Sequence, residues 1–259
     1  MIEKFSVPVT PLTGKEPRTV YVYLPAAAKD PAARFPVLYM FDGHNVFFDE
    51  DATFGKSWGM DKYLDLTETP LIVVAVDCNH HKPFGRLSEY SPFPFEWEGF
   101  GKGVGRGTKF MNWLCGTLKP LIDERYPTLP GRETTFIAGS SMGGLMSLYA
   151  VTAYNHVFGR AAALSPAIWI VHGSMEALIR KTVYPADTVI YLDFGQREFG
   201  GNTEMRNAFW DTVSALKEKD IPITCRIVPN GDHNEATWEE QTPSSCPCFS
   251  TTEHKKSEV

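Results

Sequence analysis

The chain has 259 residues, 43% of them hydrophobic, and a formal net charge of -6. This is enough apolar material for one α/β domain with a full core, and the acidic balance excludes the basic footprint of a nucleic-acid-binding protein. No apolar run reaches membrane-spanning length, residues 1–5 lack the apolar segment of a signal peptide, and five scattered cysteines argue for a reducing, cytoplasmic setting rather than a disulfide framework.

In chain order, residues 1–13 are expected to form an edge strand and a turn. Residues 18–24 alternate β-branched and aromatic side chains, as a strand does. Residues 25–34 read as a loop. Residues 35–41 (Phe-Pro-Val-Leu-Tyr-Met-Phe) are a continuous apolar run, the pattern of a strand buried on both faces, and Asp42-Gly43-His44-Asn45 closes it. Residues 58–66 predict a short helix and residues 71–77 the next buried strand. Residues 78–107 are rich in Gly, Pro and aromatics, among them Phe84, Tyr90, Phe93, Phe95, Trp97 and Phe100. A loop of this length in a compact domain is usually functional. We expect it to form a substrate platform in which Trp58, Phe95 and Trp97 offer flat apolar contact and Arg86 and Lys102 offer charge. Its glycines match no dinucleotide-binding pattern and follow no strand, so no nucleotide cofactor is expected.

Residues 108–126 show helical spacing, with a kink expected at Pro120. A strand over 134–140 and a helix to about residue 155 follow. Strands are predicted at 161–169, 188–194 and 223–228, and helices at 175–182 and 205–219. Strands alternating with helices imply a mostly parallel central sheet with helices on both faces, in a single domain over residues 1–240. Residues 241–259 are Ser/Thr/Pro/Cys-rich and then charged, and are expected to form a polar, partly disordered tail.

The chemistry centres on Gly139-Ser140-Ser141-Met142-Gly143, a G-x-S-x-G pattern between a strand and a helix. In that context the turn lifts the Ser141 hydroxyl clear of the sheet and sets the Met142 N–H at a helix N-terminus, where it can meet a developing oxyanion. A serine needs a base to take its proton, and the base needs an acid to orient it. His233 follows the last predicted strand and is the best-placed base. Glu198 lies in the loop after the 188–194 strand; Asp193 lies within that strand, and Asp232 is next to His233. Loop placement favours Glu198 over Asp193. The second oxyanion donor is expected from the turn after residues 35–41, at the His44 N–H. His44, His80 and His81 lack ligand spacing, and Cys246 and Cys248 lack a second pair, so no metal site is expected.

The segments at 38–45, 89–92 (Glu-Tyr-Ser-Pro), 137–144, 164–167 (Leu-Ser-Pro-Ala), 191–198 and 233–238 together resemble the Putative esterase (esterase D-like) family of α/β hydrolases. That family includes enterochelin-type, feruloyl and acetyl-xylan esterases, S-formylglutathione hydrolase and the mycolyltransferases. The resemblance spans residues 21–238. It implies an α/β-hydrolase fold without an inserted lid domain, and a serine carboxylic-ester hydrolase that works without a cofactor. By the same resemblance Ser141 is nucleophile, His233 base, Glu198 acid, and Met142 and His44 oxyanion donors. The expected partner is a small-molecule or carbohydrate-linked ester (small, aryl or sugar-linked), with no nucleic acid or membrane, and a homodimer is left open. The alternatives are an acyltransferase of the same fold and a non-catalytic ligand-binding member.

Overall fold

A computed structural model describes residues 1–81, 83–97 and 101–249, with only the backbone of Trp97 and Pro247. In chain order the elements are β1 (Ile2–Pro8), α1 (Thr10–Thr13), β2 (Pro17–Tyr23), β3 (Val37–Met40), α2 (Met60–Leu66), β4 (Ile72–Val76), α3 (Gly85–Glu89), β5 (Phe95–Trp97), β6 (Gly101–Gly103), α4 (Gly107–Trp113), α5 (Lys119–Arg125), β7 (Thr135–Ser140), α6 (Met142–Ala153), β8 (Arg160–Leu164), α7 (His172–Lys181), β9 (Val189–Gly195), α8 (Thr203–Lys217), β10 (Ile223–Val228) and α9 (Glu235–Ser245).

Eight strands form one sheet in the order β1-β2-β4-β3-β7-β8-β9-β10. From β4 to β10 every neighbouring pair is parallel, while β2 runs antiparallel to β4 and β1 antiparallel to β2. This is the α/β-hydrolase architecture. The central strands read as unbroken apolar runs because both their faces are covered. Val37 and Tyr39 of β3 join one core with Phe110, Leu145 and Leu148; Leu38 and Met40 join the other with Leu64, Phe136 and Trp238. Helix α6 is buried from Met142 through Thr152 and has no polar stripe, as befits a helix enclosed on all sides. The expected kink at Pro120 takes the form of a π-helical turn at Leu114–Leu118, just before α5. The proline then falls in the first turn of α5, where a missing N–H leaves no gap.

Two expectations need correction. The 78–107 stretch is not one open loop: it holds α3 and the β5–β6 hairpin, and it is bolted to the sheet. Arg18 of β2 donates from Nη1 to Glu89 at 2.6 Å, both side chains being buried, and the Tyr90 hydroxyl accepts the Asp42 N–H at 3.2 Å. The polar tail expected from residue 241 is not a tail as far as residue 249. Helix α9 runs through Ser245, Cys246 and Cys248 are buried, and Phe249 stacks on Phe136 with ring centres 5.6 Å apart. Small polar side chains conceal this packing from a composition-based reading. Residues 250–259 lie outside the described residues. No helix among the described residues is long and apolar enough to cross a membrane.

Candidate active site

The site is built at the carboxyl edge of the parallel strands, where chain ends turn into helices. Ser141 stands between β7 and α6 with φ +57° and ψ -121°, a conformation that a non-glycine residue seldom adopts. The turn is locked from three sides. Ser141 N–H donates to the Leu164 carbonyl at 3.0 Å, and its own carbonyl accepts from Ala167 at 2.9 Å and Leu145 at 3.0 Å. Strand and helix pass so closely here that a Cβ on Gly139 would lie 2.8 Å from the carbonyl carbon of Gly143. That contact explains the first glycine of the motif.

The Ser141 Oγ lies 2.9 Å from Nε2 of His233, and His233 Nδ1 lies 2.8 Å from Oε2 of Glu198. With Nδ1 protonated and directed at the carboxylate, Nε2 is free to accept the serine proton. Glu198 begins the turn after β9, is buried, and uses its other oxygen twice. Oε1 accepts the Gly195 N–H at 2.6 Å and the Ser165 hydroxyl at 2.5 Å. Asp193 is also buried but turns elsewhere: Oδ1 accepts the Ser165 N–H at 3.0 Å and Oδ2 accepts the Tyr191 hydroxyl at 2.9 Å. Burial pushes its carboxyl up to about 7. Asp232 is exposed and pairs with Arg197 at 3.9 Å. Of the three acids weighed from sequence, the one in contact with the imidazole is Glu198.

Aromatic rings hold His233 in place. Its ring centre is 4.6 Å from Phe199, 5.1 Å from Trp238 and 6.3 Å from Trp169. The Trp238 indole N–H donates to Ser165 Oγ at 2.9 Å, so Ser165 links the ring beside His233 to the carboxylate beneath it. Sequence reasoning gave Ser165, Phe199 and Trp169 no role. Ser165 falls inside the strand expected at 161–169, whereas β8 ends at Leu164; its signal in the sequence is its place in the Leu-Ser-Pro-Ala segment at 164–167.

The two expected oxyanion donors lie on this edge. Met142 is the first residue of α6, so its N–H has no acceptor within the helix. His44 lies in a short turn, Gly43–Asn45, after β3. A Cβ on Gly43 would come within 2.6 Å of the Ala75 carbonyl oxygen, so glycine lets this turn lie flat on β4. Asn45 ties the turn to the His233 loop through Glu235 at 3.2 Å.

Fragments of these loops enclose an open cleft of about 500 Å³ with Ser141 and His233 on its wall. Of the expected substrate contacts, Arg86 lines this cleft, where its Nε and Nη2 donate to Asp42 at 2.6 and 2.7 Å. Trp58 does not; it is buried in the core with its ring centre 6.3 Å from Trp238. Phe95 does not either; it is buried and seated so tightly on Gly103 that a Cβ there would lie 2.1 Å from its ring. Both are apolar rings that the core claims first. The side chain of Trp97 lies outside the described residues. The aromatics that do line the cleft are Phe84, the largely exposed Phe54 and an edge of the otherwise buried Trp238.

A family model described as "Putative esterase" matches residues 13–247. The chain belongs to the Putative esterase family. It is therefore a hydrolase of the esterase class. Among curated proteins, the esterase is 23% identical over 186 residues to the uncharacterized protein YbbA of Bacillus subtilis (strain 168), covering 70% of this chain and 69% of YbbA. Among solved structures it superposes on a ferulic acid esterase with a TM-score of 0.69 at 16% identity, covering 95% of this chain and 96% of that one. It also superposes on an IroE-like serine hydrolase from Shewanella oneidensis with a TM-score of 0.72 at 17% identity, covering 95% and 78%. At these identities the structural likeness is one of fold.

Proposed function

We propose that the esterase hydrolyses carboxylic esters through an acyl-enzyme on Ser141. As Oγ attacks the ester carbonyl carbon, His233 Nε2 takes the hydroxyl proton, and Glu198 stabilises the imidazolium. The oxyanion is held by the Met142 and His44 N–H groups, helped by the positive end of α6. The carbon–oxygen bond to the alcohol then breaks and His233 returns the proton to the leaving oxygen. Water, deprotonated by the same imidazole, attacks the acyl carbon, and the acid leaves with Ser141 restored. The single observation that carries this reading is the unbroken chain Ser141 Oγ–His233–Glu198, with links of 2.9 and 2.8 Å.

The substrate we assign is a small, aryl or sugar-linked ester. The cleft supports this by its modest volume, the Phe54 and Phe84 rings and the neighbouring Arg86. The ferulic acid esterase among its structural relatives accords with an aryl group. Five unpaired cysteines favour a reducing compartment. The test is the time course of p-nitrophenyl acetate hydrolysis with stopped-flow mixing. We expect a burst of about one p-nitrophenolate per site before the steady state, because acylation outruns deacylation with a good leaving group. Turnover with no acylated Ser141 recoverable after acid quench would contradict the proposal.

A further inference from the structure

Strands β3 and β4 are parallel neighbours, so the turns that follow them emerge side by side. The first carries His44 and the second carries Asp77, Cys78 and His80, and the donor atoms of all four lie within 4.8 Å of one another. His44 Nδ1 is 2.5 Å from Asp77 Oδ1, and His80 Nε2 is 2.9 Å from the same oxygen. The Cys78 sulfur is 3.9 Å from the His80 ring nitrogens. From these residues we propose a binding site for a late first-row divalent metal ion of the Zn²⁺ type, on the wall of the cleft that holds Ser141.

Four features carry it. First, the donor set is mixed imidazole, thiol and carboxylate, which suits a borderline-soft ion and not Mg²⁺ or Ca²⁺. Second, the spacing fits: metal–ligand bonds of this class imply ligand–ligand distances of about 3.3–3.8 Å around a tetrahedral ion. The observed pairs fall on both sides of that range, so side-chain adjustments on the order of 1 Å would close the shell. Third, the far nitrogen of His44, Nε2, sits 2.9 Å from the Thr53 hydroxyl, so a neutral ring can donate there while Nδ1 faces inward. A hydrogen-bonded outer nitrogen is the usual device for fixing a metal-binding imidazole. Fourth, an ion can enter. His80 has a side chain 62% exposed and, like Asp77 and Cys78, lines a second hollow of about 240 Å³ on the outer surface. Two imidazoles converge on Asp77 Oδ1 beside a buried thiol, and the same oxygen accepts the Cys78 N–H at 2.7 Å, which fixes the carboxylate in the cluster.

Binding replaces the Cys78 S–H bond with a metal–sulfur bond and releases that proton to solvent; nothing is oxidised or reduced. His81, the third histidine of this region, turns away to Glu16 at 2.6 Å and takes no part.

The test is titration of the reduced, chelator-washed full-length protein with Co²⁺, followed by competition with Zn²⁺. We expect one equivalent of Co²⁺ to bind with a thiolate-to-metal charge-transfer band in the near ultraviolet, and Zn²⁺ to displace it. Cys78→Ser should abolish the band. His80→Gln, at an exposed position, should weaken Zn²⁺ binding by more than the roughly 10- to 100-fold that loss of an outer-shell partner such as Thr53 costs. Thermal melts of each variant check that it is folded. Absence of stoichiometric binding would overturn the proposal, and so would a thiolate band that survives Cys78→Ser or an affinity that His80→Gln leaves unchanged.

Discussion

The Ser165 hydroxyl donates a 2.5 Å hydrogen bond to Glu198 Oε1, on the oxygen that His233 does not use. Ser165 holds φ +44° to do so, directly after β8, and its oxygen accepts the Trp238 indole N–H at 2.9 Å. Glu198 is thus fixed from below by Ser165 and Gly195 and from the side by His233. Removing the hydroxyl should loosen the carboxylate and leave the indole N–H unpaired.

We therefore expect Ser165→Ala to lower kcat roughly 10- to 100-fold, the range set by a hydrogen bond to a charged group worth about 1.5–3 kcal/mol. KM for p-nitrophenyl acetate should change little, because the loss falls on the transition state. Steady-state kinetics decide it; unchanged kcat in a folded variant would show that Ser165 does not position Glu198.

Glu198 and Asp193 should separate cleanly. Glu198→Gln should reduce kcat by several orders of magnitude through the wrong imidazole tautomer, while Asp193→Asn should leave most of the activity. Asp193→Asn should instead change stability. The folded-state carboxyl titrates near 7, above its ordinary value of 3.8, so the folded protein holds this proton more tightly than the unfolded chain does. Its contribution is present below the ordinary value and is lost as pH rises through about 7. Melting temperature measured from pH 4 to pH 8 should show that fall in the wild type, and a flatter profile in Asp193→Asn. Parallel profiles would contradict this assignment.

Phe84 and Phe95 touch edge to face, with ring centres 6.5 Å apart, yet only Phe84 lines the cleft. Phe84→Ala should raise KM for bulky aryl esters much more than for p-nitrophenyl acetate, since only the bulky group draws binding energy from the ring. Phe95→Ala should instead cost about 3–5 kcal/mol of stability, seen in denaturant unfolding, as for other buried aromatic truncations. Equal KM effects on both esters would show that Phe84 is scaffold.

What could be read from sequence was set by local rules. Strands β3, β4, β7 and β9 announce themselves as apolar runs, and the Gly139–Gly143 turn, with its helix, announces the nucleophile. His233 followed from the order in which such loops arrive at one sheet edge. The remainder depended on side-chain direction, which spacing does not encode. Asp193 and Glu198 are five residues apart, and only the course of β9 and its turn shows that one faces Tyr191 and the other His233. Trp58 and Phe95 look like a platform by composition but are consumed by the core. Residues 241–249 look solvated by composition, yet they close one face of the sheet. The His44, Asp77, Cys78 and His80 cluster is split between two turns and is joined only by the pairing of β3 with β4.

Covalent labelling with a fluorophosphonate, read by intact mass and peptide mapping, tests directly whether Ser141 is the nucleophile. We expect one adduct per chain, located on Ser141, with labelling abolished in Ser141→Ala and slowed by orders of magnitude in His233→Ala. An adduct on another residue, or undiminished labelling and ester turnover in folded Ser141→Ala, would contradict it.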